Sequence, residues 1–394
     1  MTDPGSPGGP IAEAVAGAER LLSRRAGASV HLADPEDLGG SGDSVVVRAR
    51  MVHNPFSGRR NVVVKHYLGD VEPSDPFRYE VASCQLFTAL PADLRPSPMI
   101  IAYDPEQRLL VLEDLGRSST LADKLFGPDR ATAQRCLLSW ARALGRMQAS
   151  TAGREDDFGA LLHRLGEKTR RDPISDEARA ALAGLPAMLR ETLGVELPAS
   201  AELEARATAR LLGGTRFRAF SPADTCPDNN LVTSLGVRFV DFEWGCFRDV
   251  VLDAAYFRVP FPACATSFAL PPGMAAEMQD AWRIEVAPVW PELDDRELLE
   301  SRLTDAHVLW VWWCTFTLLP RLLEHDGPIG RDAGRSPRIS SALRHYWRGL
   351  GEAAALTDRP ATAELAERVA GALDERYPDA APGLPVFPAF RTAV

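Results

Sequence analysis

The chain has 394 residues, 45% of them hydrophobic and 25% charged, with a formal net charge of −10. That much apolar material supports a large core and favours two packed lobes over one compact unit. The acidic balance excludes a general nucleic-acid binder or a membrane-surface protein, since both roles need a Lys/Arg excess to replace counterions.

The first ten residues, MTDPGSPGGP, are too polar and too rich in Pro and Gly for a signal peptide. They are expected to be disordered, with the protein cytoplasmic rather than exported. Residues 11–25 carry apolar side chains at helical spacing and end in Arg24 and Arg25, which predicts a helix of about four turns. The runs 44–52 and 61–67 are rich in β-branched residues and flank the turn-like stretch 54–58, which predicts a hairpin. Asp75-Pro76 then opens a helix over 77–90, and 109–113 reads as a strand. After Gly116 the texture changes to long helical segments, including 131–149 and 175–193, broken by Pro and Gly. The apolar run 308–319, with Trp310, Trp312 and Trp313, is too short to span a bilayer and reads as a buried helix. Expected boundaries are 1–10 for the disordered N-terminus, 11–116 for a small nucleotide-binding lobe with its leading helix, and 117–394 for a large helical lobe. The six cysteines (Cys84, Cys136, Cys226, Cys246, Cys264 and Cys314) show neither C-x-x-C spacing nor paired histidines. Neither a zinc site nor a disulfide framework is expected, and reduced thiols are the default.

Several short segments carry chemistry. Gly40, Ser41, Gly42, Asp43 and Ser44 form a loop without bulky side chains before the first hairpin strand, where backbone N–H groups can approach phosphates. Lys65 ends the run Val62-Val63-Val64, and Glu80 follows fifteen residues later on the next helix. That order matches a phosphate-contacting lysine held by a helix glutamate. The stretch LVLEDLG over 110–116 reads as a connector whose backbone near Glu113 and Leu115 can pair with an adenine edge, with Gly116 permitting the turn. Further on, SPADTCPDNNLVTSLGVRFVDFEWG places Asp224 five residues before Asn229, and Asp241 after the run Val237-Arg238-Phe239-Val240. One carboxylate to orient a hydroxyl and an Asn/Asp pair to hold magnesium is what phosphoryl transfer requires.

This ordered set resembles the aminoglycoside phosphotransferase and choline kinase-like family of the protein-kinase-like fold, over roughly residues 38–255. The stretch RDVVLDAA, from Arg248, is similar to the family segment that follows the metal aspartate. The resemblance implies an α+β, bilobal, protein-kinase-like fold with a small β-rich N-lobe and a large, mainly helical C-lobe. It implies Asp224 as the catalytic residue and Asn229 and Asp241 as magnesium ligands. The nucleotide, ATP or GTP, would be held by the Gly/Ser loop, Lys65, Glu80 and the connector. The acceptor would be a hydroxyl on a small molecule such as an amino sugar, an aminoalcohol or a biosynthetic intermediate, and no nucleic acid or membrane is expected as a partner. Two other readings stay open: a pseudokinase-like binding or partner protein without turnover, and a Ser/Thr peptide kinase working in a complex.

The chain departs from the family pattern at three places. Where the family usually reads His-Gly-Asp it has Pro222-Ala223-Asp224; Cys226 replaces a second histidine and Gln148 a third, after the long helix. Pro222 has no N–H and cannot supply the imidazole that packs beneath the catalytic loop. Cys226 reads as a buried, inert cysteine. In the C-terminal part, the tryptophans read first as core, and Glu292, Asp294, Asp295 and Glu297 as a solvated helix face. The Pro-rich tail 382–388 reads as an extended strip.

Overall fold

The computed structural model describes residues 9–40, 43–52, 60–69, 74–168, 172–262, 264, 266–330, 335–378 and 383–391. The chain divides into two compact units. The first comprises Met1–Ser118, Arg154–Arg171 and Arg238–Gly245, and the second Ser119–Gly153, Asp172–Val237 and Cys246–Val394.

In the first unit, helix α1 (Pro10–Ala26) leads into strands β1 (Leu32–Gly39), β2 (Ser44–Met51) and β3 (Asn61–Tyr67), then helix α2 (Pro76–Thr88) and strands β4 (Ile100–Asp104) and β5 (Leu109–Glu113). The strands form one antiparallel sheet in the order β1-β2-β3-β5-β4. Alternation along β3 sorts its side chains. Val62 and Val64 join Ala14, Ala18, Leu21 and Leu22 of α1 in a closed apolar core. Successive strand residues point to opposite faces, so Lys65 and Tyr67 emerge on the face away from α1. Asp75 caps α2 by accepting from Phe77 N–H at 3.1 Å, with Pro76 in the first turn where its missing N–H is harmless. Arg108 fixes that cap through a 2.7 Å contact with Asp75.

The second unit begins with strand β6 (Ser119–Thr120) and helices α3 (Leu121–Phe126) and α4 (Arg130–Thr151); α5 (Glu155–Arg164), next in the chain, belongs to the first unit. It continues with α6 (Ser175–Leu193), α7 (Ala199–Ala207), β7 (Arg218–Ser221), β8 (Asn230–Thr233), β9 (Gly236–Phe239, which runs into the first unit) and β10 (Cys246–Asp249). Helices α8 (Val250–Ala254), α9 (Met274–Val286), α10 (Arg296–Glu324), α11 (Ile339–Leu356) and α12 (Pro360–Arg376) complete it. Strands β7 and β10 pair antiparallel, bringing Ser221 opposite Cys246. The core is built on Trp140, Trp282, Trp312 and Trp347, all fully buried. Trp310 is also buried and donates its indole N–H to Leu252 C=O at 2.7 Å, a core role. Of the acidic group, Asp295 caps α10, Glu292 pairs with Arg216 and Asp294 with Arg283, so three of the four serve local structure. The tail pairs in extended form with Ala269 through Pro385 and Phe387.

A β-rich unit followed by a largely helical one, with this strand order and a helix between β3 and β4, is the expected protein-kinase-like fold class. Among the described residues no helix is long and apolar enough to cross a membrane. The N-terminal residues 1–8 and the turn 54–58 lie outside the described residues.

Candidate functional site

The first unit carries an ionic cluster around a buried lysine. Lys65 Nζ lies 3.3 Å from Glu80 Oε2, bonds Asp241 Oδ1 and lies 4.0 Å from Glu243 Oε2. The Tyr67 hydroxyl sits 3.5 Å from both Glu80 and Glu243, and the Lys65 ammonium lies 4.9 Å from the Tyr67 ring centroid. Burial works against the ammonium, but Glu80, the Tyr67 hydroxyl, Asp241 and Glu243 outweigh it and hold the Lys65 pKa well above its ordinary value. For Glu80, burial dominates and raises the carboxyl pKa despite the neighbouring lysine. Asp241 reaches the cluster because its backbone adopts φ 66°, a left-handed conformation that Asp tolerates better than most residues. Next to it, Phe242 packs on Phe87 of α2 at 5.1 Å and its backbone N–H bonds Glu80. Glu243 and Tyr67 were not anticipated from the sequence. Tyr67 follows Lys65 by two positions, the interval that returns a side chain to the same face of a strand, whereas Glu243 lies in the turn after the left-handed Asp241 and carries no such signal.

The glycine loop is described in part, since Ser41 and Gly42 lie outside the described residues. Gly40 has φ 153°, and a Cβ there would meet Ser44 C=O at 2.3 Å, so only glycine fits. Asp43 C=O accepts from Leu68 N–H at 2.8 Å, and Ser44 opens β2 as a buried residue. In the connector, the Glu113 N–H donates to Met99 C=O at 2.9 Å, and its carboxylate accepts from Met99 N–H at 3.2 Å. That N–H is therefore engaged in the unit's own structure. Asp114 is held by Arg48 and Asn61 and accepts from Gly116 N–H. Among the described residues the Leu115 N–H makes no hydrogen bond.

In the second unit, Asp224 follows β7 on a tightly held loop. Ala223 stands at φ 60°, where glycine is favoured, and three contacts fix it there. Its N–H donates to Ser221 Oγ at 3.0 Å, its C=O accepts from the Tyr256 hydroxyl at 3.2 Å, and the next N–H, that of Asp224, closes on Pro222 C=O at 2.7 Å. Ser221 in turn donates to Asp253 Oδ1 at 2.9 Å. Asp253 also receives Arg248 and, at 3.0 Å, the Gln148 amide, whose oxygen accepts from Trp282 at 2.6 Å. Gln148 is thus a buried prop beneath the loop. Burial raises the Tyr256 pKa, so its hydroxyl stays protonated as a donor.

Asp224 Oδ1 accepts from Cys226 N–H at 3.0 Å, and Cys226 C=O accepts from Asn229 N–H at 2.8 Å. Asn229 is half-buried, and its side-chain amide makes no hydrogen bond among the described residues. Asn230 differs: its amide bonds Thr225 and Cys226 carbonyls and accepts from Trp140, so it belongs to the framework. The cysteine expectation is corrected. Cys226 is half-buried and joined to Cys264 in a disulfide, Cα to Cα 5.8 Å, while Cys84, Cys136, Cys246 and Cys314 are buried free thiols. Spacing of 38 residues gives no local signal of such a bond.

The predicted residues therefore assemble in two groups, Lys65, Glu80 and Asp241 in one unit and Asp224 and Asn229 in the other. Asp241 and Glu243 offer carboxylate oxygens, and Asn229 an amide oxygen, the hard donors that magnesium takes. No protein-family model and no curated protein matches the chain. Among solved structures it is similar to a choline/ethanolamine kinase family protein from Mesorhizobium loti (14% identity, covering 86% of this chain and 93% of that one, TM-score 0.44). It is likewise similar to choline kinase LicA from Streptococcus pneumoniae (15%, 85% and 99%, TM-score 0.42). A third is an aminoglycoside 2'-phosphotransferase in complex with GDP (12%, 88% and 99%, TM-score 0.47).

Proposed function

We propose that the chain is an ATP- and magnesium-dependent phosphotransferase that moves the γ-phosphate to a hydroxyl of a small molecule. The observation that carries this is the buried Lys65 bridging Glu80 and Asp241. A lysine kept charged and oriented by a helix glutamate is suited to phosphate oxygens, and at its ordinary exposure would need no such support. Lys65 orients the phosphates, Asp241, Glu243 and Asn229 hold the metal, and Asp224 accepts the acceptor hydroxyl's proton. Bound magnesium supplies charge neutralisation at the transferring phosphoryl group.

ATP with magnesium is expected to raise the melting temperature, and Asp241→Ala to abolish most of that shift. Against a panel of amino-sugar and aminoalcohol acceptors, Asp224→Ala is expected to retain the shift while losing phosphorylated product. The absence of any nucleotide-dependent shift in the unsubstituted protein would overturn nucleotide binding. Equal inactivity of the two proteins, with the shift intact, would overturn turnover.

A further inference from the structure

We propose that Cys226 and Cys264 form a thiol–disulfide exchange site through which a dithiol reductant or a disulfide oxidant sets the placement of Asp224. The consequence for turnover rests on the phosphotransfer reading above; the site and its control of the loop do not.

Three observations converge on Cys226. Its backbone N–H holds the Asp224 carboxylate at 3.0 Å. Its C=O takes the Asn229 N–H at 2.8 Å and the Asn230 amide at 2.6 Å. Its sulfur ties this small hub to Cys264, across a chain separation of 38 residues. One covalent bond thus anchors the residue through which both Asp224 and Asn229 are positioned. A role as a general staple fits poorly, because the second unit already has a large core on four buried tryptophans and its other cysteines are unpaired. In a thiol-reducing compartment a disulfide of this kind is a transient or sensing one rather than a framework.

The exchange balances with a dithiol as co-reactant. Cys226 is half-buried and Cys264 is 9% exposed, so the reductant's thiolate attacks the Cys226 sulfur. The Cys226–Cys264 bond breaks, a mixed disulfide forms, and Cys264 leaves as a thiolate and takes a proton. The reductant's second thiolate then displaces Cys226, which is protonated in turn. The protein pair gains two electrons and two protons, and the dithiol becomes a disulfide. Once the bond is open, the hub at Cys226 is held by hydrogen bonds alone.

The test uses the full chain, oxidised or treated with dithiothreitol and desalted. Both samples carry a chelator wherever turnover is not being measured, because Asp224, Cys226 and Cys264, whose ligand atoms lie within 4.8 Å of one another in the disulfide-bonded state, would offer a metal two thiolates and a carboxylate once the bond is open. Thiol titration in denaturant should give two more thiols after reduction. Hydrogen exchange of the backbone over 223–230 should accelerate on reduction and recover on reoxidation, with Cys264→Ser and, separately, Cys226→Ser fixed at the reduced level. In the magnesium-containing turnover assay, reduction should lower kcat on the order of tenfold to a hundredfold by misplacing Asp224, with KM for ATP unchanged. Equal thiol counts in the two samples, or exchange over 223–230 indifferent to reduction, would overturn the proposal. If neither sample turns over but exchange responds, phosphotransfer fails while the exchange site stands. If both turn over equally, control of Asp224 fails.

Discussion

Replacing Lys65 by Met removes the cation from a site that holds three carboxylates and a tyrosine. The side chains of Lys65 and Glu80 are 8% and 2% exposed, so water screens their pairing little. At 3.3 Å and an effective dielectric near 20, the gross attraction of this pair is about 5 kcal/mol, partly offset by desolvation. Removing one member of such a buried pair costs about 3–5 kcal/mol, and Glu80, already shifted towards protonation, limits the loss to the lower part of that range. The sign with pH is fixed by the raised Lys65 pKa: its contribution is full below the ordinary lysine value and is lost as pH rises through the higher folded value. A comparison at pH 7 therefore measures all of it. Because two units need not unfold together, the readout is hydrogen exchange of β3 and α2 rather than one global transition. Lys65→Met should lower protection there by about 3 kcal/mol, and Lys65→Met with Glu80→Leu should restore most of it, since an apolar pair of similar volume needs no partner. Magnesium should protect Lys65→Met more than the parent, by occupying the charge gap between Asp241 and Glu243. A single-substitution loss below about 1 kcal/mol, or a double variant no better than the single, would refute the electrostatic account.

The other expectations concern the second unit. His307 is buried on α10 with neither ring nitrogen bonded among the described residues, and burial, aided by Arg258 and His345, depresses its pKa to about 3. Its neutral form is favoured on folding, so stability is full above pH 6.5 and falls with acidification towards 3; between pH 7 and pH 5 the loss is about 2 kcal/mol by urea titration. His307→Phe should flatten that acid limb, and an unchanged limb would mean the proton goes elsewhere. Gln148→Leu leaves the indole N–H of Trp282 and one oxygen of Asp253 without their partner, which should cost about 2 kcal/mol and lower kcat more than KM. A stability loss with kinetics unchanged would make Gln148 a core residue with no bearing on the loop.

Much of the fold is legible where burial is one-sided. The β-branched runs of β2 and β3, the Asp75-Pro76 start of α2 and the long helical segments of α4 and α6 each follow from local pattern. Strand β1 is not legible, because it is an exposed edge strand containing Pro35, interrupted by two register shifts and by Asp34 at φ 54°. Its polar sequence reads as a loop, and its pairing comes from β2. In the ionic cluster, Lys65 and Glu80 are legible as an ordered pair, whereas Tyr67 becomes visible only when the two-residue period is applied along β3 from Lys65, and Glu243, in the turn after Asp241, carries no periodic signal. The disulfide is not legible at all. Cysteines 38 residues apart carry no mutual signal, and their meeting depends on how the chain returns past β10 and α8.

Pro222 bears on the proposed activity differently once the loop is seen. A histidine at that position would serve as a support under the backbone, and proline removes both the imidazole and an N–H. The groups such a support must hold are nonetheless held: Ala223 N–H by Ser221, Ala223 C=O by Tyr256, and Asp224 N–H by Pro222 C=O itself. Ser221 is steadied by Asp253, and Asp253 by Arg248 and Gln148, all buried. The left-handed Ala223, which costs about 1 kcal/mol relative to glycine, persists because these contacts over-determine it. What proline takes from one side chain is thus redistributed over a hydroxyl, a carboxylate and an amide. A loop supported in this way holds Asp224 through several buried contacts at once, and the covalent tie at Cys226 is the support that a thiol reductant would remove.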